Sequence, residues 1–135
     1  MGSILSEYIG RHADQPFDWA SNNCMTFVSG YLDAIGYPPL PRKWCYGYTD
    51  AREAARAYRQ CLQDYGHESI IYAMDHRFDR TVTLHPDDGM ICARVENGPM
   101  GYAFGLTCNQ QCVFLTDDGA RIFHVEAGDM FWDIQ

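Results

Sequence analysis

Apolar positions follow a helical period through the first half of the chain and a period of two through the second. Leu5 and Ile9 share a face of a short helix predicted over 3–9. Met25, Val28, Tyr31, Leu32 and Ile35 continue at helical spacing until Gly36 ends the run, which predicts a helix from Cys24 to Ile35. The segment Gly36-Tyr-Pro-Pro-Leu-Pro-Arg cannot be helical, because proline lacks the N–H and clashes with the preceding turn; it reads as a stiff connector. Asp50-Ala-Arg-Glu53 has the pattern of a capping box, and Ala51, Ala54, Ala55, Tyr58, Leu62 and Tyr65 carry a third helix to Gly66. A shorter amphipathic stretch, 69–78, places Ile70, Ile71, Met74 and Phe78 together.

Strand patterns then take over at 80–84, 90–95, 102–106, 112–116, 121–125 and 130–134. Turn formers separate them: Glu96-Asn-Gly-Pro, Asp117-Asp-Gly and Ala127-Gly-Asp, with Asp87 and Asp88 before the second strand. Helices first and short strands second predict an α+β fold, with N-terminal helices packed on an antiparallel β-meander or half-barrel. No repeat or long linker divides residues 1–135, so one domain is expected.

Composition narrows the function classes. A net charge of −8 leaves no basic stripe for a phosphate backbone, so nucleic acid is not an expected partner. No run approaches the ~18 apolar residues of a membrane helix, and the first residues lack a signal peptide's basic start and apolar core. Met1-Gly2 with Ser6 touches the myristoylation pattern without other membrane signals. The six cysteines therefore read as mainly buried free thiols of a protein made in a reducing cytosol.

Candidate chemistry centres on Cys24. The sequence Trp19-Ala-Ser-Asn-Asn-Cys-Met-Thr-Phe27 offers Asn22 or Asn23 as N-cap, which puts Cys24 in the first helical turn. Unpaired N–H groups and the helix dipole favour a thiolate there. The dipole alone contributes ~0.3–1 kcal/mol, under one pKa unit, so strong activation needs a neighbouring imidazolium.

The order of these features resembles an uncharacterised phage and prophage domain related to NlpC-type, papain-like cell-wall cysteine peptidases. The resemblance rests on the Pro16-Phe-Asp-Trp19 loop and the polar pair before Cys24. It continues through the amphipathic helix ending in Gly36, the Asp87-Asp-Gly-Met90 turn, the strand Gly101-Tyr-Ala-Phe-Gly-Leu106 and the aromatic C-terminus. It implies a papain-like topology with Cys24 in the nucleophile's place. The Gly105-Leu106 pair matches the residues that follow the family's catalytic His, but Tyr102 or Ala103 stands where that His belongs. Tyrosine, with a reference pKa of ~10, cannot shuttle a proton at neutral pH as imidazole does. The resemblance thus implies a structural component of the phage tail, at the tail tip of the virion and made in the host cytoplasm. It would act through contacts with other tail hub and tip proteins on a degenerate peptidase scaffold. Two alternatives are a cysteine peptidase or amidase that uses Cys24 on a peptidoglycan peptide, and a soluble bacterial binding protein.

Other residues compete for roles. His124, in Ile122-Phe-His-Val125, is a substitute base if the fold brings it to Cys24, and His85 is a second; His12, His67 and His76 show no partner signal. Cys108 and Cys112 flank a polar hairpin tip. One isolated pair does not make a zinc site, so no metal or cofactor is expected, while a disulfide across the tip stays open. Trp44, Tyr46 and Tyr48 lie in an aperiodic stretch and are either exposed interface anchors or a loop packed back on the helices.

Overall fold

The computed structural model describes residues 3–97 and 101–134. The first two residues, and Gly98 and Pro99 of the predicted Glu96–Pro99 turn, lie outside them. Five helices come first: α1 (Ile4–His12), α2 (Cys24–Ala34), α3 (Arg42–Cys45), α4 (Ala51–Tyr65) and α5 (Ile70–Arg77). Six strands follow: β1 (Asp79–Thr81), β2 (Ile91–Val95), β3 (Tyr102–Cys108), β4 (Gln111–Thr116), β5 (Gly119–Phe123) and β6 (Met130–Asp133). The α+β class is as expected.

Local chemistry sets the helix ends. Ser3, Asn23, Asp50 and Ser69 each accept a backbone N–H in the first turn of α1, α2, α4 and α5. Asp50 caps the Glu53 amide, but Glu53 does not close the box. Its carboxylate takes the Thr49 N–H and hydroxyl instead, at 2.8 and 2.7 Å. Gly66 ends α4 in the left-handed conformation that its missing Cβ permits.

The sheet order is β1-β6-β2-β3-β4-β5, with every neighbour antiparallel. The predicted meander holds for β2 to β5 only. β6 returns across the sheet to pair with β2, because Phe131 and Trp132 are both fully buried and need cover on opposite faces. The Trp132 Nε1–H donates to Asp75 of α5 at 2.8 Å. β1 stops at Thr81, so Val82 and Leu84, predicted in a strand, are exposed.

All five helices and the inner face of the sheet share one core, built on Met25, Phe27, Leu32, Trp44, Phe104 and Trp132. A smaller cluster of Met90, Cys92, Cys112, Phe114 and Phe131 fills the other face. Segment 124–129 crosses this second face on its way from β5 to β6. Arg94 clamps it there, donating to both Asp129 carboxylate oxygens (2.9 and 2.8 Å) and to the His124 carbonyl (2.7 Å).

At Gly105 the strands β3 and β4 touch. A Cβ at this position would lie 2.1 Å from the Val113 carbonyl oxygen and 2.8 Å from Phe114. Only glycine lets β4 approach β3 this closely, as at a barrel corner. The β3–β4 ladder ends beside it, at the Leu106–Val113 pair.

Candidate functional site

Cys24 is the first residue of α2, and Asn23 builds the corner before it. The Asn23 side-chain oxygen accepts from the Met25 and Thr26 amides at 3.0 Å, and its N–H2 donates to the carbonyls of Trp19 (3.0 Å) and Cys45 (2.9 Å). Thr26 Oγ1 accepts the Asn23 N–H at 2.9 Å, completing a reciprocal cap. Asn22 instead ties the upstream loop, donating to the Gln15 and Pro16 carbonyls.

Asn23 is fully buried, so Asn23→Ala would leave two carbonyls and two amides without their partner. A loss of about 2 kcal/mol in folding stability is expected by chemical denaturation. Asn23→Asp, which keeps the acceptor, is expected to recover part of it.

A cavity of about 300 Å³ opens beside Cys24. Phe17 and Trp19 form one wall, in edge contact at 4.8 Å between ring centres. Tyr102, Ala103 and Phe104 come from β3, and Phe114, Leu115 and Thr116 from β4, with Glu96 and Asp117 at the rim. The fold thus brings together Cys24, Tyr102 and Ala103, three positions singled out from sequence. Among the described residues lining the cavity there is no histidine.

The thiol is not activated. Burial pushes Cys24 up to about 12, and the nearby Glu96 charge adds to the rise; a hydrogen bond from the Phe104 backbone pulls down without offsetting them. The helix-start preference for a thiolate is therefore overridden, since desolvation of a buried group outweighs a dipole effect of under one pKa unit. Cys24 holds its proton more tightly folded than unfolded. Its contribution to stability is complete below pH 9 and is lost as pH rises toward about 12.

His124 is not a base for Cys24. It leaves β5 after Phe123, which pairs with Cys112 next to the β3–β4 hairpin tip, whereas the cavity lies at the other end of those strands. Its ring Nδ1 meets the Gln111 side-chain amide at 3.1 Å. His85 sits on an exposed loop after Leu84 and does not line the cavity either. His67 and His76 do have partners, each other at 4.9 Å between ring centres, with Tyr65 and Tyr72 around them. Periodicity could not reveal this cluster, because it joins the end of α4 to α5.

Cys108 and Cys112 are free and cannot bridge. Cys108 packs toward the helices while Cys112 lies in the opposite cluster beside Cys92. Asn109 and Gln110 between them both have positive φ, the mark of a tight two-residue hairpin.

Two interface candidates are corrected. Trp44 and Tyr48 are buried, because the stretch contains the short helix α3 and packs onto α4: the Tyr48 hydroxyl bonds the Trp44 carbonyl and meets the Tyr58 hydroxyl at 3.0 Å. Only Tyr46 is exposed, with the Arg42 guanidinium over its ring.

No helix among the described residues is long and apolar enough to cross a membrane. Searches of curated proteins and of solved structures each found no match. The model of a family described as a domain of unknown function, DUF6950, matches residues 2–134, and with nearly its whole length covered the chain belongs to that family.

Proposed function

We propose that the chain is a structural component of a phage tail, at or near the tip, on a papain-like NlpC-type scaffold that works by protein contact rather than hydrolysis. One observation carries the non-hydrolytic half of this reading. Cys24 heads α2 beside β3, which the resemblance matches to the strand that carries the peptidases' base; Tyr102 and Ala103, not a histidine, line the cavity with it, and burial favours the neutral thiol. Without an imidazole, neither attack nor leaving-group protonation receives general acid–base help, typically worth ~10²–10⁴ in rate. The tail assignment is supported by the sequence resemblance alone.

Cysteine peptidase activity on a peptidoglycan peptide is the second reading, and the cavity beside Cys24 favours it. Residue-resolved iodoacetamide labelling separates the two. With a pKa near 12, Cys24 is expected to label roughly a thousand-fold more slowly at neutral pH than a free thiol, with no rise near pH 6. Rapid labelling near pH 6, with cleavage of peptidoglycan fragments abolished by Cys24→Ser, would overturn the structural reading. Incorporation into purified virions tests the tail assignment directly; a chain absent from them would refute it.

A further inference from the structure

Beyond Leu106–Val113, the described residues of β3 and β4 form no ladder pair with each other, although each strand keeps its outer neighbour: Val95 pairs with Tyr102 and Gly119 with Thr116. Past the contact of Gly105 with Val113, the strand edges at residues 102–104 and 114–116 therefore flank the cavity beside Cys24 without pairing to each other. The Phe17 N–H already takes the Thr116 carbonyl at 3.0 Å, so one of these edges accepts a hydrogen bond from passing backbone. Such edges bind extended chain through main-chain hydrogen bonds.

The lining supplies the specificity. Its body is apolar and aromatic, with Phe17, Trp19 and Tyr102, while the Phe104 ring is buried in the core behind it. Its only charged residues are the exposed Glu96 and Asp117, and neither is in an ion pair among the described residues. Ring faces and carboxylates with no resident cation suit a lysine or arginine side chain.

We propose that this cleft receives an extended segment of a partner protein, seated between β3 and β4 with a lysine or arginine side chain directed to Glu96 and Asp117. This rests on the reading of the chain as a protein-contact module and names the chemistry of the partner. The cavity, about 300 Å³, is at the lower end of the ligand-pocket range, room for a side chain and its flanking backbone rather than a folded element.

Backbone amide NMR of the isotope-labelled chain tests the proposal. The probe is a pool of capped pentapeptides with a central lysine between Val, Thr and Ser positions; a matched pool has glutamate at the centre. The lysine pool is expected to shift the amides of 102–105 and 114–117 and the Trp19 indole, several-fold more than the glutamate pool. High salt and the double variant Glu96→Gln/Asp117→Asn are expected to reduce the response several-fold. Equal responses to the two pools, or no shift at these positions, would overturn the proposal. Binding accompanied by new peptide termini in mass spectra would uphold the cleft and overturn the non-hydrolytic reading.

Discussion

Arg94→Leu is expected to destabilise the fold by about 3 kcal/mol near neutral pH, because it strands a buried carboxylate. The Asp129 side chain is 3% exposed and Arg94 is 20% exposed, so little water is available to replace the guanidinium. Burial by itself would raise the Asp129 carboxyl. The hydrogen bonds from Arg94 and the Glu126 amide, with the Arg94 charge, hold it below the usual carboxylate range. A depressed folded pKa contributes stability that is present above the unfolded value, near 3.8, and is lost as pH falls through the folded one. In Arg94→Leu the sign reverses: the carboxyl takes up a proton more readily folded than unfolded, so the penalty is largest at neutral pH and shrinks toward about pH 4. Urea denaturation at both pH values measures this. The double variant Arg94→Leu/Asp129→Leu is expected to regain much of the loss, since removing both partners leaves no orphaned charge. A penalty independent of pH and unrelieved in the double variant would show that Arg94 acts only by packing over Phe114 and Phe123.

The Arg94 clamp also marks where sequence reading stops. Caps and apolar spacing are local properties, so α2 and α4 were legible from the Asn22–Asn23 pair and Asp50, α5 from its apolar spacing, and β2 to β4 from their strand-like runs. The pairing of Arg94 with Asp129 joins residues brought together only when β6 inserts beside β2. No local period encodes that insertion. The same reason left the burial of Trp44 and Tyr48 undecided, since it depends on α4 closing over a four-residue helix too short to show a stripe. At the candidate site, the seat of Cys24 at a helix start was legible through the cap, and Tyr102 and Ala103 line the cavity beside it. Its protonation was not, because desolvation comes from strands and loops distant in sequence.

Gly105→Ala is expected to lose about 3 kcal/mol, and Gly105→Val more, although each adds only apolar atoms. The obstacle is backbone. A Cβ 2.1 Å from the Val113 carbonyl oxygen forces β4 to move, and a main-chain atom within a ladder cannot rotate away as a side-chain tip can. Gly10→Ala is the control. Gly10 lies in α1 with nothing within 4 Å of its added Cβ, so the same substitution there is expected to stabilise by ~0.5–1 kcal/mol through helix propensity. One chemical change then has opposite signs at two positions, and the neighbouring atoms decide which. Because displacement of β4 also reshapes the wall formed by Phe114, Leu115 and Thr116, Gly105→Ala should alter Trp19 fluorescence in the folded state. Gly10→Ala should leave it unchanged. A Gly105→Ala variant within about 0.5 kcal/mol of wild type, with native Trp19 emission, would mean that β4 relaxes freely around the added methyl.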